Sequence, residues 1–267
     1  MRVAAIQLSS TPERDRNLDA ASKLLDAAAK EGAKLIVLPE MFNVLGSAAV
    51  MLQAGESLEG PSMTWAKQMA KECGVWLVAG SFMEQIEGQS KHYNTSCAID
   101  PSGVVRAVYR KIHLFDNEVS GAAYRESDRI MPGNDIVLAE VFGFQLGVSI
   151  CYDLRFPELF RSLTLRGARM IALPSAFTEK TGRAHWEPLV RARAIENQVF
   201  MIAANQIGST SEGLRWHGHS MIVDPWGTIL AEAPNEETYI LADLNWEEQD
   251  RVRTELPSLT HRRPDYK

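Results

Sequence analysis

The chain has 267 residues, 45% of them hydrophobic, and a formal net charge of −6. That length and apolar content suit one α/β or sandwich domain with a large core, while the acidic balance, with no basic run of five or more, argues against a nucleic-acid or anionic-membrane partner and leaves small molecules. The opening residues turn polar after about six apolar positions, too few for a secretory h-region, and no stretch approaches the ~18 apolar residues of a membrane span, so a soluble cytoplasmic protein is expected.

Residues 3–8, VAAIQL, predict a strand, and Thr11-Pro12 then reads as a helix N-cap with proline at the first helical position. Leu18, Ala21, Leu25 and Ala28 recur on one helical face, and Gly32 closes that helix. The apolar run 34–38 predicts a buried strand stopping at Pro39-Glu40, and a helix over 62–73 ends at Gly74 ahead of a strand over 75–80. Residues 93–110 read as a hairpin turned by Asp100-Pro101-Ser102-Gly103. The polar stretch from Lys111 to Asp135 is long for a connection in a compact chain, which marks it as functional or disordered. After it come a strand over 144–150, a helix over 157–166 followed by Gly167, a strand over 169–173, a helix over 184–197 and a strand over 199–205. Segments 217–233 and 238–244 are strand-rich, with Pro225-Trp226-Gly227 as a turn, and a short amphipathic helix starts near 246. No repeat, linker or low-complexity segment interrupts this order, so residues 1–267 read as a single α/β domain with helices outside and sheets inside.

Cys73, Cys97 and Cys151 form neither an even set nor a CxxC pair, which argues against structural disulfides and a zinc ribbon and suits a reducing compartment. Cys151 stands where the strand 144–150 stops and a polar turn leads to Pro157. A lone cysteine is more often a small buried hydrophobe than a nucleophile, and residue type alone leaves both readings open.

Two other strands end the same way, in Glu40 after KLIVLP and in Lys111 after VVRAVYR. In open α/β sheets ligands bind beyond the carboxyl ends of strands, so side chains delivered there can converge from distant parts of a chain. Together they form a workable set: a thiol nucleophile needs a base, for which Glu40 is the candidate. Charge building on the substrate heteroatom needs fixed donors, which Lys111 and the Tyr152 N–H would supply.

The segments LPEMF around Glu40, YRKIHLFD around Lys111 and CYDLRFPEL around Cys151 resemble the Glu-Lys-Cys signatures of the nitrilase, or carbon–nitrogen hydrolase, superfamily, in the family's order and over nearly the whole chain. Residues 174–198, 218–227 and 261–266 look like the branch that holds the amidases of deaminated glutathione, close to the ω-amidases. The resemblance implies a four-layer α-β-β-α sandwich that pairs with a second copy, so that a homodimer or higher homo-oligomer is expected. It also implies hydrolysis of a non-peptide C–N bond through a thioester on Cys151, with no cofactor and no metal. A small-molecule amide with an anionic end is then the expected partner, deaminated glutathione giving 2-oxoglutarate and cysteinylglycine. The alternatives are α-ketoglutaramate, a nitrile or N-carbamoyl compound, or a catalytically silent metabolite-binding scaffold.

The family carries a second glutamate in the loop after the lysine, which aligns Glu126 in YRESDRIMPG, with Glu118 as a lesser candidate because NEVSGAAY departs from the expected proline-glycine turn. Arg155, four residues past the nucleophile, either holds a substrate carboxylate or pairs with Glu158, and Arg183 is a second candidate cation. In AFTEKTG, Phe177, Thr178 and Thr181 are candidates for contact with the acyl half. His217 and His219 would share one face of a strand as a metal pair needs, but lack a third ligand at suitable spacing and read as core or hydrogen-bonding residues. Trp186, Leu189, Val190 and Ala194 form a packed helix face, with part of this region expected at the family's dimer interface. A Cys-His hydrolase built on Cys151 and His185 would leave Lys111 without a task.

Overall fold

The structure, a computed structural model, describes residues 1–117, 124–209 and 213–263, so Glu118, most of NEVSGAAY and the last residues of the 261–266 segment lie outside it. Val3, Ala4, Ala5 and Ile6 are all fully buried although alternate residues of a strand face opposite ways. Such a strand needs cover on both faces, and the fold provides it. Arg2–Gln7 runs parallel to Leu35–Val37, and that strand parallel to Trp76–Val78. Antiparallel strands Thr238–Asp243 on one side and Tyr93–Ile99, Phe82–Glu84 and Val105–Arg110 on the other complete a seven-stranded sheet. A six-stranded sheet repeats the plan: Phe144–Val148, Ala168–Ser175 and Phe200–Asn205 are parallel, flanked by antiparallel Leu138–Val141, Met221–Val223 and Ile229–Glu232.

The two sheets meet face to face. Val3, Ala5, Val37 and Val78 of the first pack with Leu146, Met170, Phe200 and Ile202 of the second. Helix α1 (Arg14–Lys30), the short α2 (Ala48–Gln53) and α3 (Pro61–Cys73) lie in the first half, and α1 and α3 lay Ala21, Leu25, Ala28, Met63, Ala66 and Ala70 over the outward Ile6, Ile36 and Leu38. Helices α4 (Pro157–Leu165) and α5 (Glu179–Asn197) cover the outer face of the second sheet with Leu159, Phe160, Leu163, Trp186, Val190 and Ala194. The result is the α-β-β-α sandwich expected from the sequence. A sixth helix, α6 (Trp246–Glu255), stacks Trp246 on Phe144, with ring centroids 4.0 Å apart.

The sheets are joined at one end of the sandwich. Leu8, just past the first strand, pairs in parallel with Gln206, just past the last parallel strand of the other sheet, and the Ile207 N–H donates to the Leu8 carbonyl at 2.8 Å. The parallel strands of both sheets therefore deliver their carboxyl ends to one end of the sandwich.

Several boundaries differ from the expectation. Helix α1 starts at Arg14, not at Pro12, with Glu13 at a cap position that makes no side-chain bond, because buried Asn17 binds the Thr11 N–H at 2.9 Å and the Thr11 carbonyl at 2.7 Å. Helix α5 starts at Glu179, before residue 184, and carries Pro188 inside it. The short helix α2 and the strand Leu138–Val141 were not expected, since six and four residues show too little periodicity. The single strand expected from His217 onward is two: Arg215–His217 pairs with Ile207–Ser209, then Gly218 and His219 turn the backbone into the left-handed region before Met221–Val223 joins the sheet. The stretch from Lys111 to Asp135 carries a ribbon between Asp116–Asn117 and Tyr124–Arg125 and a 3₁₀ turn over Glu126–Asp128.

Trp186 is fully buried and its indole N–H donates to the His219 carbonyl at 2.7 Å, so it fastens α5 to the turn that breaks the strand pair. Trp186→Ala should cost about 3–5 kcal/mol of unfolding free energy, read from urea melts of both proteins.

Candidate active site

Glu40 follows the strand Leu35–Val37 through Leu38-Pro39, Lys111 follows Val105–Arg110, and Cys151 opens a 3₁₀ turn, Cys151–Arg155, after Phe144–Val148. All three strands end at the junction of the sheets. Glu126, on the 3₁₀ turn of the Lys111 loop, joins them there. Glu40, Lys111 and Glu126 are each more than nine-tenths buried, while Cys151 is partly covered.

The Lys111 Nζ lies 3.1 Å from Glu40 Oε1 and 3.2 and 3.0 Å from the two oxygens of Glu126. Burial by itself would lower the ammonium's pKa, but the charges of Glu126 and then Glu40 outweigh that loss and hold it well above the ordinary value. Cys151 behaves oppositely. Burial first, and then the negative charge of Glu40, push its thiol well above the usual range, and Lys111 offsets only part of this. Burial and the Glu40 charge together therefore favour a neutral thiol hydrogen-bonded to Glu40.

Asn94 was not anticipated. Its Nδ2 donates to Glu40 Oε1 at 2.8 Å and to Glu126 Oε1 at 3.4 Å, bridging the two acids. The Ala176 N–H holds Glu40 Oε2 at 2.8 Å, and the Phe115 N–H holds Glu126 Oε2 at 2.6 Å. Asn94 stands beside Thr95 and Ser96 in the strand YNTSCAI, so polarity did not single it out, and backbone donors leave no signal in a sequence. Gln206 reaches the Glu40 carbonyl at 2.9 Å and braces the chain behind the carboxylate.

Cys151 takes the left-handed region, with φ +46°, and so sits on a sharp strand-to-turn corner. The next N–H, that of Tyr152, falls in the first turn, where backbone donors lack partners within the helix. Aromatic rings wall the corner: Tyr152 meets Phe115 and Phe156 edge-on, and Phe156 stacks on His113. Arg155 lies over Phe177 and Tyr152, 5.1 and 5.8 Å from their ring centroids. Its Nη1 lies 3.2 Å from His185 Nδ1, so its partner is His185 rather than Glu158, and His185 is engaged with the guanidinium. Phe177 itself is buried against Trp186. Thr178 and Thr181 bond to each other at 2.9 Å across the start of α5. Arg183 is paired with Glu179 at 2.6 Å beside Arg215 and His217, in a separate groove.

The rings of His217 and His219 lie 4.7 Å apart, and His219 bonds to Glu232 at 2.8 Å. Burial, then His219 and Arg183, push His217 down to about 4. Among the described residues no group of three or more His, Cys, Asp and Glu could hold a metal ion, and no helix is long and apolar enough to cross a membrane.

A family model described as carbon–nitrogen hydrolase matches residues 2–254. A deaminated glutathione amidase of Synechocystis is 41% identical over 264 residues, 97% of each chain, and an omega-amidase NIT2 of Xenopus tropicalis is 38% identical over 265 residues, 99% of this chain and 95% of that one. Among solved structures, Saccharomyces cerevisiae Nit3, a member of branch 10 of the nitrilase superfamily, superposes with a TM-score of 0.88 at 34% identity, over 96% of this chain and 94% of its own.

The three thiols should react unequally. Cys97 has no exposed surface and burial pushes its thiol up to about 12, so it should stay unmodified in the native protein. Iodoacetamide should label Cys151 well before Cys97, at a rate still rising above pH 9, as peptide masses after timed quenching would show. Labelling of Cys97 ahead of Cys151 would contradict this.

Proposed function

Because this chain belongs to the carbon–nitrogen hydrolase family and hydrolyses C–N bonds other than peptide bonds, we propose that it is an amidase whose chemistry is carried by Glu40, Lys111 and Cys151. The observation behind the proposal is the buried Lys111 ammonium held within 3.2 Å of two carboxylates, Glu40 and Glu126, at the Cys151 corner. Residues 1–267 serve it as one domain.

In the proposed cycle the thiol gives its proton to Glu40 as the sulfur attacks the amide carbonyl, so the thiolate forms only when it is used. Negative charge passes to the carbonyl oxygen, where the Lys111 ammonium and the Tyr152 N–H receive it; one such donor is worth about 10²–10³ in rate. Glu40 returns the proton to the leaving nitrogen, the amine departs, and an acyl-thioester remains on Cys151. Water then enters, gives its proton to Glu40 and attacks the thioester, and the thiol leaves with that proton. Glu126 directs the ammonium through its two contacts and Asn94 keeps the acids in register.

The substrate we propose is deaminated glutathione, cleaved to 2-oxoglutarate and cysteinylglycine, with the anionic end of the acyl half held by Arg155 above Phe177 and with Thr178 and Thr181 beside it. Arg183 is the second cation to test. The Xenopus relative named an omega-amidase favours a second reading, α-ketoglutaramate. Both substrates share the acyl half and form the same thioester, so they differ in acylation alone.

Protein stopped during turnover of deaminated glutathione should carry a 2-oxoglutaryl mass on Cys151, and Cys151→Ala should carry none and be inactive with its fold intact. In one preparation kcat/KM should favour deaminated glutathione over α-ketoglutaramate. The reverse ratio would move the protein to the second reading, and an adduct on Cys73 or Cys97 would remove Cys151 as nucleophile.

We further propose a homodimer, since Leu165 on α4, Ile195 on α5 and Trp226 at the Pro225–Gly227 turn are large apolar side chains left exposed in one copy, and a cytoplasmic location, which three cysteines without a disulfide suit. Light scattering at micromolar concentration should give at least twice the 29.7 kDa chain mass; a monomer mass would overturn the assembly.

A further inference from the structure

One carboxylate joins the two segments that carry Lys111 and Cys151. Asp153 is fully buried, two residues past the cysteine. Its Oδ2 accepts the Tyr109 hydroxyl at 2.6 Å and the Ile150 N–H at 2.9 Å. Its Oδ1 accepts the His113 N–H at 3.1 Å and lies 2.7 Å from His113 Nδ1. The Tyr109 oxygen in turn accepts the Ile112 N–H at 3.4 Å. The carboxylate thus holds the residues two before and two after Lys111 directly, the one after it through Tyr109, and the residue just before Cys151.

Each of these bonds has a geometric consequence. The Asp153 N–H also donates to the Ile150 carbonyl at 3.0 Å, so residues 150 and 153 are bound in both directions around the cysteine and close the corner on its left-handed backbone. On the other segment the Tyr109 phenol is wholly buried, and burial followed by the Asp153 charge push it up, which keeps its proton available as a donor. His113 lies flat on Phe156, with centroids 3.7 Å apart and planes 7° from parallel, so the ring cannot swing away without opening the aromatic wall. None of these groups is placed in the proposed chemistry, yet together they leave the lysine and cysteine segments little freedom to shift against each other.

We propose that Asp153 is a positioning residue that sets the separation between the Lys111 ammonium and the Cys151 sulfur by binding Tyr109 and His113 on one segment and Ile150 on the other. The inference rests on the Glu40–Lys111–Cys151 reading above. Its chemical content is specific. Donors surround both oxygens of Asp153, so an amide of the same shape must turn its NH₂ toward backbone N–H groups on one side or the other. Asp153→Asn therefore releases either the Ile150 or the His113 anchor while keeping side-chain volume.

The test compares wild type, Asp153→Asn, Tyr109→Phe and Cys151→Ala, with circular dichroism to establish folding. Asp153→Asn should lower kcat on the amide about 10²-fold, the effect of a misplacement near 1 Å, with KM within about threefold. Iodoacetamide labelling of Cys151 supplies the second readout. The charged groups facing that thiol are Glu40 and Lys111, and Lys111 is the one that lowers its pKa, so letting the ammonium drift should move the labelling profile to higher pH. A purely structural loss would scale the rate without moving the profile. Tyr109→Phe removes one hydroxyl and should show the same displacement with about a tenfold fall in kcat, which carries the test if Asp153→Asn does not fold. Wild-type kcat and an unmoved profile in the folded variants, with Cys151→Ala inactive, would overturn the positioning role alone; activity in Cys151→Ala would overturn the Glu-Lys-Cys reading beneath it.

Discussion

The site is organised by the Lys111 ammonium, buried with two carboxylates within 3.2 Å of it. Taking a charge out of water costs several kcal/mol, and a single buried partner often repays too little. Here the cost is met by two acids that share Asn94 as a donor and each accept one backbone N–H, from Ala176 on Glu40 and from Phe115 on Glu126. Removing either acid would strand the ammonium, and removing the ammonium would leave two carboxylates sharing Asn94. Burial and the Glu40 charge keep the neighbouring thiol neutral, so in the proposed chemistry the nucleophile is generated by proton transfer to Glu40 instead of being stored as a thiolate.

Such a cluster needs a rigid frame, and the sandwich supplies it at the end where both sets of parallel strands finish. A buried polar network ties the sheets there. Gln7 Oε1 accepts the Ser220 N–H at 2.9 Å, the Ser220 hydroxyl accepts the Asn205 N–H at 2.8 Å, and Asn205 Oδ1 accepts the Phe177 N–H at 2.9 Å. Gln206 spans from the second sheet to the Glu40 carbonyl and to Ser10. Fully paired polar groups in a core act directionally where apolar packing does not, and these fix the offset between the sheets beside the residues that must meet.

The frame also holds conformations that the residues would not choose. Met41, directly after Glu40, and Cys151 both lie in the left-handed region, which costs a non-glycine residue roughly 1–2 kcal/mol. Met41 is held by the Ser81 hydroxyl accepting its N–H at 3.2 Å. Gly80 passes so close behind Pro39 that a Cβ there would stand 2.1 Å from the Pro39 carbonyl oxygen. The left-handed backbone thus falls directly after Glu40 and at Cys151 itself, where each strand gives way to the site.

Much of this was legible from residues alone. Apolar runs closing in Glu40, Lys111 and Cys151 marked the three strand ends, and helical stripes such as Ala21-Leu25-Ala28 and Trp186-Val190-Ala194 marked the covering layers, because burial and periodicity are local properties of a chain. The motifs around those three residues carried the family. What the sequence left open was partnership: Asn94 lies 54 positions from Glu40, Asp153 40 from His113, and the Ala176 N–H 136 from Glu40. A hydrogen bond is decided at about 3 Å, and only the closing of one sheet on the other brings such groups within that distance. The start of α1 moved for the same reason, since a buried side chain, Asn17, overrode the local capping preference of Thr11. Composition and periodicity determined the longer strands and helices and placed Glu40, Lys111 and Cys151 at strand ends; the tertiary structure decided the short elements and which of those ends face one another, because directional contacts between distant residues exist only once the sheets are packed.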